Sequence, residues 1–247
     1  MLKSCAKLIL CGEYNLLQNG FGISLALNRY NTLSYEKSKS LEWHSPFNYL
    51  DWINPFLNKL NITSGKFYNT IDWELTNGWG TSGSTLANLC KFTKSNPNKF
   101  RELYVKGSGI DFFTSYNNRS LLYRNNSVQP ISLQFSFKEY LYFLPLNKKI
   151  KSPTHINRKI NTKELNSIVL KISSTQDINE FIKLLEAHDN IVSKELDITK
   201  IQPLKNSLYS KYLGTWGGDT ALLIGEDLEK TYANIIKYKD IVMEEIC

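Results

Sequence analysis

Several common signals are missing from these 247 residues. Cysteine is sparse: Cys5, Cys11, Cys90 and Cys247 show none of the short paired spacings of a zinc site. A chain of this length needs no such staples to build a core, so the thiols read as reduced and the setting as cytoplasmic. Histidine is scarcer still, with only His44, His155 and His188, which argues against a structural metal. No apolar run approaches the ~20 residues of a membrane span. Residues 1–14 carry Lys7 inside their apolar stretch and Glu13 just after it, unlike a secretory leader. No glycine-rich turn ends in Gly-Lys-Ser/Thr, and Gly78-x-Gly80 does not extend to a dinucleotide fingerprint. Arginine numbers 5 against 25 lysines, and no arginine–aromatic stripe marks a nucleic-acid reader. Hydrophobic residues make up 42% and charged residues 21%, which excludes disorder and low complexity.

What is present is unevenly distributed. The net charge is +7, and all of the excess lies in the first half. Residues 1–138 hold 15 Lys+Arg against 8 Asp+Glu, whereas residues 139–247 hold 15 against 15. A diffuse positive field of this kind would draw a small phosphorylated ligand as readily as a larger polyanion.

Residues 6–11 and 23–27 read as strands flanking the turn Gly20-Phe21-Gly22. Tyr49, Trp52, Ile53, Phe56, Leu57 and Leu60 recur at helical spacing, with Pro55 expected to start, break or kink that helix. Residues 67–75 alternate as a strand and feed the turn Asn77-Gly78-Trp79-Gly80-Thr81-Ser82-Gly83-Ser84-Thr85. A second glycine turn spans Gly107-Ser108-Gly109-Ile110-Asp111. Further on, residues 140–146 read as a strand and 179–196 as an amphipathic helix carrying Phe181, Leu184, Leu185, His188 and Val192 on one face. A third turn, Gly214-Thr215-Trp216-Gly217-Gly218-Asp219, precedes a buried strand at 220–224. A closing helix is expected from the stripe Leu228, Tyr232, Ile235, Ile236 and Met243. The shift in charge and pattern places a boundary near 135–140, giving two α+β units.

The turn at 80–85 runs into a helix, and converging backbone N–H groups with a helix N-terminus form an anion cradle. A plain capped helix explains the same letters. Lys7 reads equally as a lysine snorkelling at a strand edge, Asp111 as a turn aspartate, and Trp79 and Trp216 as packing residues. Asp219 reads as a turn-stabilising acceptor, and His188 as core or pocket lining.

Taken in order, four segments resemble the motifs of the GHMP kinases. They are residues 6–14 (Ala-Lys-Leu-Ile-Leu-Cys-Gly-Glu-Tyr), the glycine–serine loop 79–86, the Gly-Ser-Gly-Ile-Asp of 107–111, and Leu-Gly-Thr-Trp-Gly-Gly-Asp at 213–219. The set most resembles the small bacterial GYDIA-family group. The resemblance implies a two-domain GHMP kinase fold. Residues 1–138 would form a nucleotide-binding part like domain 2 of ribosomal protein S5, and 139–247 a ferredoxin-like part. It implies ATP and Mg²⁺ as cofactors and phosphoryl transfer to mevalonate or phosphomevalonate in isoprenoid precursor synthesis. Gly78, Gly80, Thr81, Ser82, Gly83, Ser84 and Thr85 would hold the nucleotide. Asp111 would orient the acceptor oxygen or take its proton, and Lys7 would keep that carboxylate ionised. Glu13, Tyr14, Gly214, Thr215, Gly217 and Gly218 would line the acceptor site. Ser82 or Ser84, with Glu102 (the sole acidic residue between Ser84 and Asp111), would face Mg²⁺. The implied partner is a small-molecule phosphate acceptor, with neither nucleic acid nor membrane, on a monomer or homodimer. A fold that binds nucleotide without transferring phosphate, and an RNA-binding module, are the rival readings.

Overall fold

The computed structural model describes residues 1–45, 50–131, 140–146, 160–197, 200–213, 219–232 and 235–237. The third glycine turn at 214–218, with Gly214, Thr215, Gly217 and Gly218, and the expected boundary near 135–140 lie mostly or wholly outside those residues, as does Met243.

Strand β1 (Leu2–Cys11) pairs antiparallel with the long β2 (Gly22–Glu36), placing Lys7 opposite Ala26. Side-chain alternation along β1 sends Ala6, Leu8 and Leu10 into one core cluster and turns Ile9 toward the other. Strands β3 (Leu41–His44), β4 (Gly65–Ile71), β5 (Leu121–Arg124) and β6 (Ser127–Pro130) complete a sheet of order β3-β4-β2-β5-β6, with β1 also on β2. Helix α1 (Leu50–Lys59) buries Ile53 and Leu57 completely. It runs through Pro55 instead of stopping there, because Pro55 stands on the exposed side where an unpaired carbonyl can bond water.

Helices α2 (Thr81–Phe92), α3 (Pro97–Tyr104) and α4 (Ile110–Asn117) close the α1 side around Phe67, Leu89, Phe100, Phe112 and Tyr123. The alternating stretch at 67–75 ends as strand at Ile71 and continues into a 3₁₀ turn at Leu75–Asn77.

Strand β7 (Leu141–Pro145) pairs with β9 (Thr220–Ile224), which pairs with β8 (Tyr209–Leu213). Helices α5 (Thr162–Ile172) and α6 (Ile178–Leu196) pack between the sheets. Leu25 and Leu27 of the first sheet share one cluster with Val169, Phe181, Leu185, Phe143 and Leu222. The expected closing helix is not formed over the described residues. Leu228–Lys230 is a single 3₁₀ turn, and β10 (Ile236–Lys237) pairs with β7. An open strand edge offers backbone partners that a short amphipathic stripe does not outbid. Among the described residues no helix is long and apolar enough to cross a membrane.

Candidate active site

Strand β1 is the spine of the site. Its Lys7 backbone N–H donates to the Trp79 carbonyl at 3.0 Å, which docks the glycine–serine loop onto the strand. The Lys7 side chain, 7% exposed, runs beneath that loop. A Cβ at Gly80 would lie 2.6 Å from Lys7 Cε, and Gly80 adopts φ +78°, so glycine is required there twice over. Lys7 Nζ then reaches Asp111 Oδ2 at 3.1 Å.

Asp111 occupies the first turn of α4, after Gly109 at φ 84°. The turn before it is pinned from outside. Arg101 donates to the carbonyls of Gly107 and Ser108 at 2.7 and 3.0 Å, and the Tyr123 hydroxyl donates to Ser108 at 2.7 Å. Asp111 Oδ1 is buried and has no hydrogen-bond partner among the described residues, although the side chain as a whole is 40% exposed. Gly83 lets the two helix starts touch, since a Cβ there would sit 3.1 Å from Asp111 Cβ.

The start of α2 is uncapped. Gly80 precedes it in a left-handed conformation, no side chain caps it, and its first turn carries no acidic residue. Ser84 N–H already bonds the Gly80 carbonyl, leaving the N–H groups of Thr81, Ser82 and Gly83 as the ones with no place in the helical ladder. Thr81 Oγ1 receives Trp73 Nε1 at 3.2 Å. Thr85 and Ser84 hydroxyls both donate to the Thr81 carbonyl at 2.9 Å, and both accept from the Asn31 amide, at 2.9 and 3.1 Å. Ser84 is fully buried, donating to Thr81 and accepting from Asn31. Ser82 is the exposed hydroxyl of the loop. Glu102 stands exposed on α3 and makes no hydrogen bond or ion pair with the loop among the described residues. Nor do three His, Cys, Asp or Glu side chains gather into a metal cage among them. The oxygen donors present beside the loop, the Ser82 hydroxyl and the Asp111 carboxylate, are of the hard type that suits Mg²⁺.

Asp219 and Thr220, which follow the third glycine turn's undescribed residues, lie against the same loop. A Cβ at Gly78 would lie 2.5 Å from Asp219 Oδ2, and Trp79 Nε1 donates to Thr220 Oγ1 at 3.0 Å. Trp79 is 3% exposed and packs in the shared core, as its packing reading expects. Asp219 thus lies against the loop.

At the far end of β1, Glu13 is 7% exposed and pairs with Lys211 Nζ at 3.4 Å, and its Oε2 is buried with no partner among the described residues. Tyr14 buries its ring with Ile160, Leu165, Val192 and Leu196. It therefore anchors its turn to the helices. Lys211 also bonds Asp189 at 2.7 Å. Burial pushes the Asp189 carboxyl upward, but Lys211 and His188 outweigh it and hold it below the usual carboxylate range. Burial likewise pushes the Lys211 ammonium down, and Asp189 with Glu13 more than reverses this.

Sequence reasoning missed Asn31, Asp189 and Lys211. It also missed a cavity of about 390 Å³ lined by His44, Ser45, Tyr68, Asn69, Thr70 and Ile71. His44 stacks on Tyr68 with centroids 4.8 Å apart, and Asn69 Oδ1 and Ser45 Oγ are buried without partners among the described residues. The cavity lies beside the loop, because Ile71 pairs with Asn31 across the sheet and Asn31 holds Ser84 and Thr85.

No family profile matches the sequence, and no curated protein matches it in sequence. Solved structures do match. A mevalonate kinase from Methanococcus jannaschii is 18% identical, covers 98% of each chain and gives a TM-score of 0.71. The phosphomevalonate kinase of Streptococcus pneumoniae in complex with phosphomevalonate and AMPPNP is 16% identical over 98% of this chain and 97% of its own, with a TM-score of 0.71. A Lactococcus lactis galactokinase complexed with galactose is 11% identical over 93% and 86%, with a TM-score of 0.63. The α+β fold of this chain is the fold of the GHMP kinases, matched over nearly its whole length.

Proposed function

We propose that this protein is an ATP-dependent small-molecule kinase of the GHMP type, acting on mevalonate or phosphomevalonate. The observation that carries the reading is the meeting of two glycine turns on β1, with Asp219 beside the first. Lys7 passes under Gly80 to Asp111, Gly83 at the uncapped start of α2 abuts Asp111, and Asp219 lies against Gly78. A phosphate donor belongs at the cradle, with the N–H groups of Thr81, Ser82 and Gly83 on its phosphate oxygens. The cavity one strand away, with its aromatic stack and orphaned Asn69 oxygen, suits the nucleotide's base.

Phosphoryl transfer asks little covalent chemistry of the protein and much positioning. Lys7 holds one oxygen of Asp111 and offsets charge that builds on the transferring group. The other oxygen, Oδ1, orients the acceptor oxygen and takes its proton where that oxygen is a hydroxyl. Bound with the nucleotide, Mg²⁺ would neutralise charge between the phosphates, with the Ser82 hydroxyl as the exposed group of the loop beside it. Glu13 Oε2 would accept a hydrogen bond from the acceptor molecule. Gly214, Thr215, Gly217 and Gly218 would close the acceptor side, and the basic first half favours an acceptor that carries a carboxylate or phosphate.

The rival is a fold that binds nucleotide without transfer, and the engagement of Ser84 with the remoteness of Glu102 from the hydrogen bonds of the loop favours it. ADP release with Mg-ATP across a panel of acceptors decides between them. Turnover with mevalonate or phosphomevalonate is expected. Nucleotide binding with no product on any acceptor would overturn the kinase reading in favour of the rival.

A further inference from the structure

A buried polar network lies behind Glu13, and its members His188, Asp189, Tyr209 and Lys211 enter no step above. His188, fully buried on α6, receives the backbone N–H of Gly12 on Nε2 at 3.0 Å. Its Nδ1 lies 3.1 Å from Asp189 Oδ1, the same oxygen that Lys211 Nζ reaches at 2.7 Å. The Tyr209 hydroxyl donates to Asp189 Oδ2 at 2.5 Å, and Lys211 continues to Glu13. A backbone N–H can only donate, so Nε2 carries no proton and Nδ1 holds the ring hydrogen that Asp189 accepts.

We propose that His188 is a positioning residue for the acceptor end of the site: by accepting the Gly12 N–H in this fixed tautomer it sets the turn that carries Glu13. Gly12 itself stands at φ 83° with a Cβ position 2.4 Å from the Phe21 carbonyl, so the turn tolerates little rearrangement. Helix α6 and strand β8 thereby hold a turn of the first sheet. Asp189 fixes the ring, and Lys211 fixes one oxygen of Glu13 while leaving Oε2 open. The inference rests on the kinase reading for its consequence, not for its geometry.

Two substitutions divide the functions of the ring. His188→Gln places an amide oxygen where Nε2 accepts, and His188→Asn keeps a donor toward Asp189 but withdraws that acceptor. His188→Asn is expected to raise the KM for the acceptor roughly tenfold, the effect of one lost hydrogen bond that leaves a buried donor unpaired. The KM for ATP should stay within about twofold, and His188→Gln should restore the acceptor KM towards wild type. An unchanged acceptor KM in His188→Asn, or equal changes for both substrates, would overturn the proposal. Ring nitrogen NMR of the unaltered protein supplies a readout that needs no turnover. His188 should show a bare Nε2 and a protonated Nδ1 near neutral pH, and the reverse tautomer would refute the latch. Should no acceptor turn over, the kinase reading fails, and Gly12 amide exchange still decides the latch. Exchange at least tenfold faster in His188→Asn than in His188→Gln supports it, and equal rates reject it.

Discussion

Lysine in the middle of an apolar strand is costly unless its ammonium finds a partner, and Lys7 finds Asp111 by passing under a glycine. That route makes Gly80 a sensitive position. Gly80→Ala puts a β-carbon into a left-handed residue, a strain of about 1–2 kcal/mol, and against the Lys7 side chain. The expected outcome is a stability loss of that size in urea titration, with turnover at least tenfold lower as Lys7 is displaced. A second residue-scale expectation concerns Asp189. Its folded carboxyl titrates below its ordinary value of 3.8, so the stabilisation it gives is present above that pH and is lost as pH falls beneath it. Asp189→Asn should cost about 3–5 kcal/mol at neutral pH by leaving Lys211 poorly paired. The difference from wild type should begin to shrink below roughly pH 4 and keep shrinking as the pH falls on towards the depressed folded value; a gap that does not narrow at all between about pH 5 and pH 2 would contradict the pairing. Lys7, Asp111 and the glycine turns were nominated by the resemblance of the motif order to the GHMP kinases, since each alone reads equally as a snorkelling lysine, a turn aspartate or a loop glycine. Lys211 and Asn31 were not, since a polar residue in an alternating strand looks solvent-facing until a helix is known to cover it.

At the scale of elements, helix α1 shows a local rule overridden. Ile53 and Leu57 anchor it to the core, and that burial carries the helix through Pro55. Pro55→Ala restores an interior N–H donor and gives up the stiffening of the unfolded chain, for a net gain of about 1–2 kcal/mol. A raised midpoint in urea denaturation is the expected result, and a lowered one would show that Pro55 stabilises the helix in place. Strands β1, β4, β7 and β9, the start of β2 and helix α6 were legible from their apolar patterns and α2 from the glycine turn that leads into it, whereas β3, β5, β6 and β8 carried no such expectation. The end of the chain was not legible either: Leu228, Tyr232, Ile235 and Ile236 fit a helical stripe, yet Ile236 pairs with Phe143 on the edge of β7. Periodicity over so few residues cannot see a distant strand edge that offers hydrogen bonds. The cavity beside β4 escaped for a related reason, because its walls come from two strands separated in the chain.

Over the whole molecule, the two sheets share one hydrophobic cluster, and β1 runs from the phosphate cradle to the buried Glu13–Lys211 network. This spine brings the glycine–serine loop and the turn that carries Asp111 to one place, and the order of the motifs, more than any single one, pointed there. The most direct test of that convergence compares wild type with Asp111→Ala, reading ADP release with Mg-ATP and acceptor alongside calorimetric binding of ATP. A fall in turnover of roughly 10²–10⁴-fold with ATP affinity kept within a few-fold is the expected result. Wild-type turnover in Asp111→Ala would contradict the assignment of that carboxylate to the acceptor oxygen, and with it the central claim.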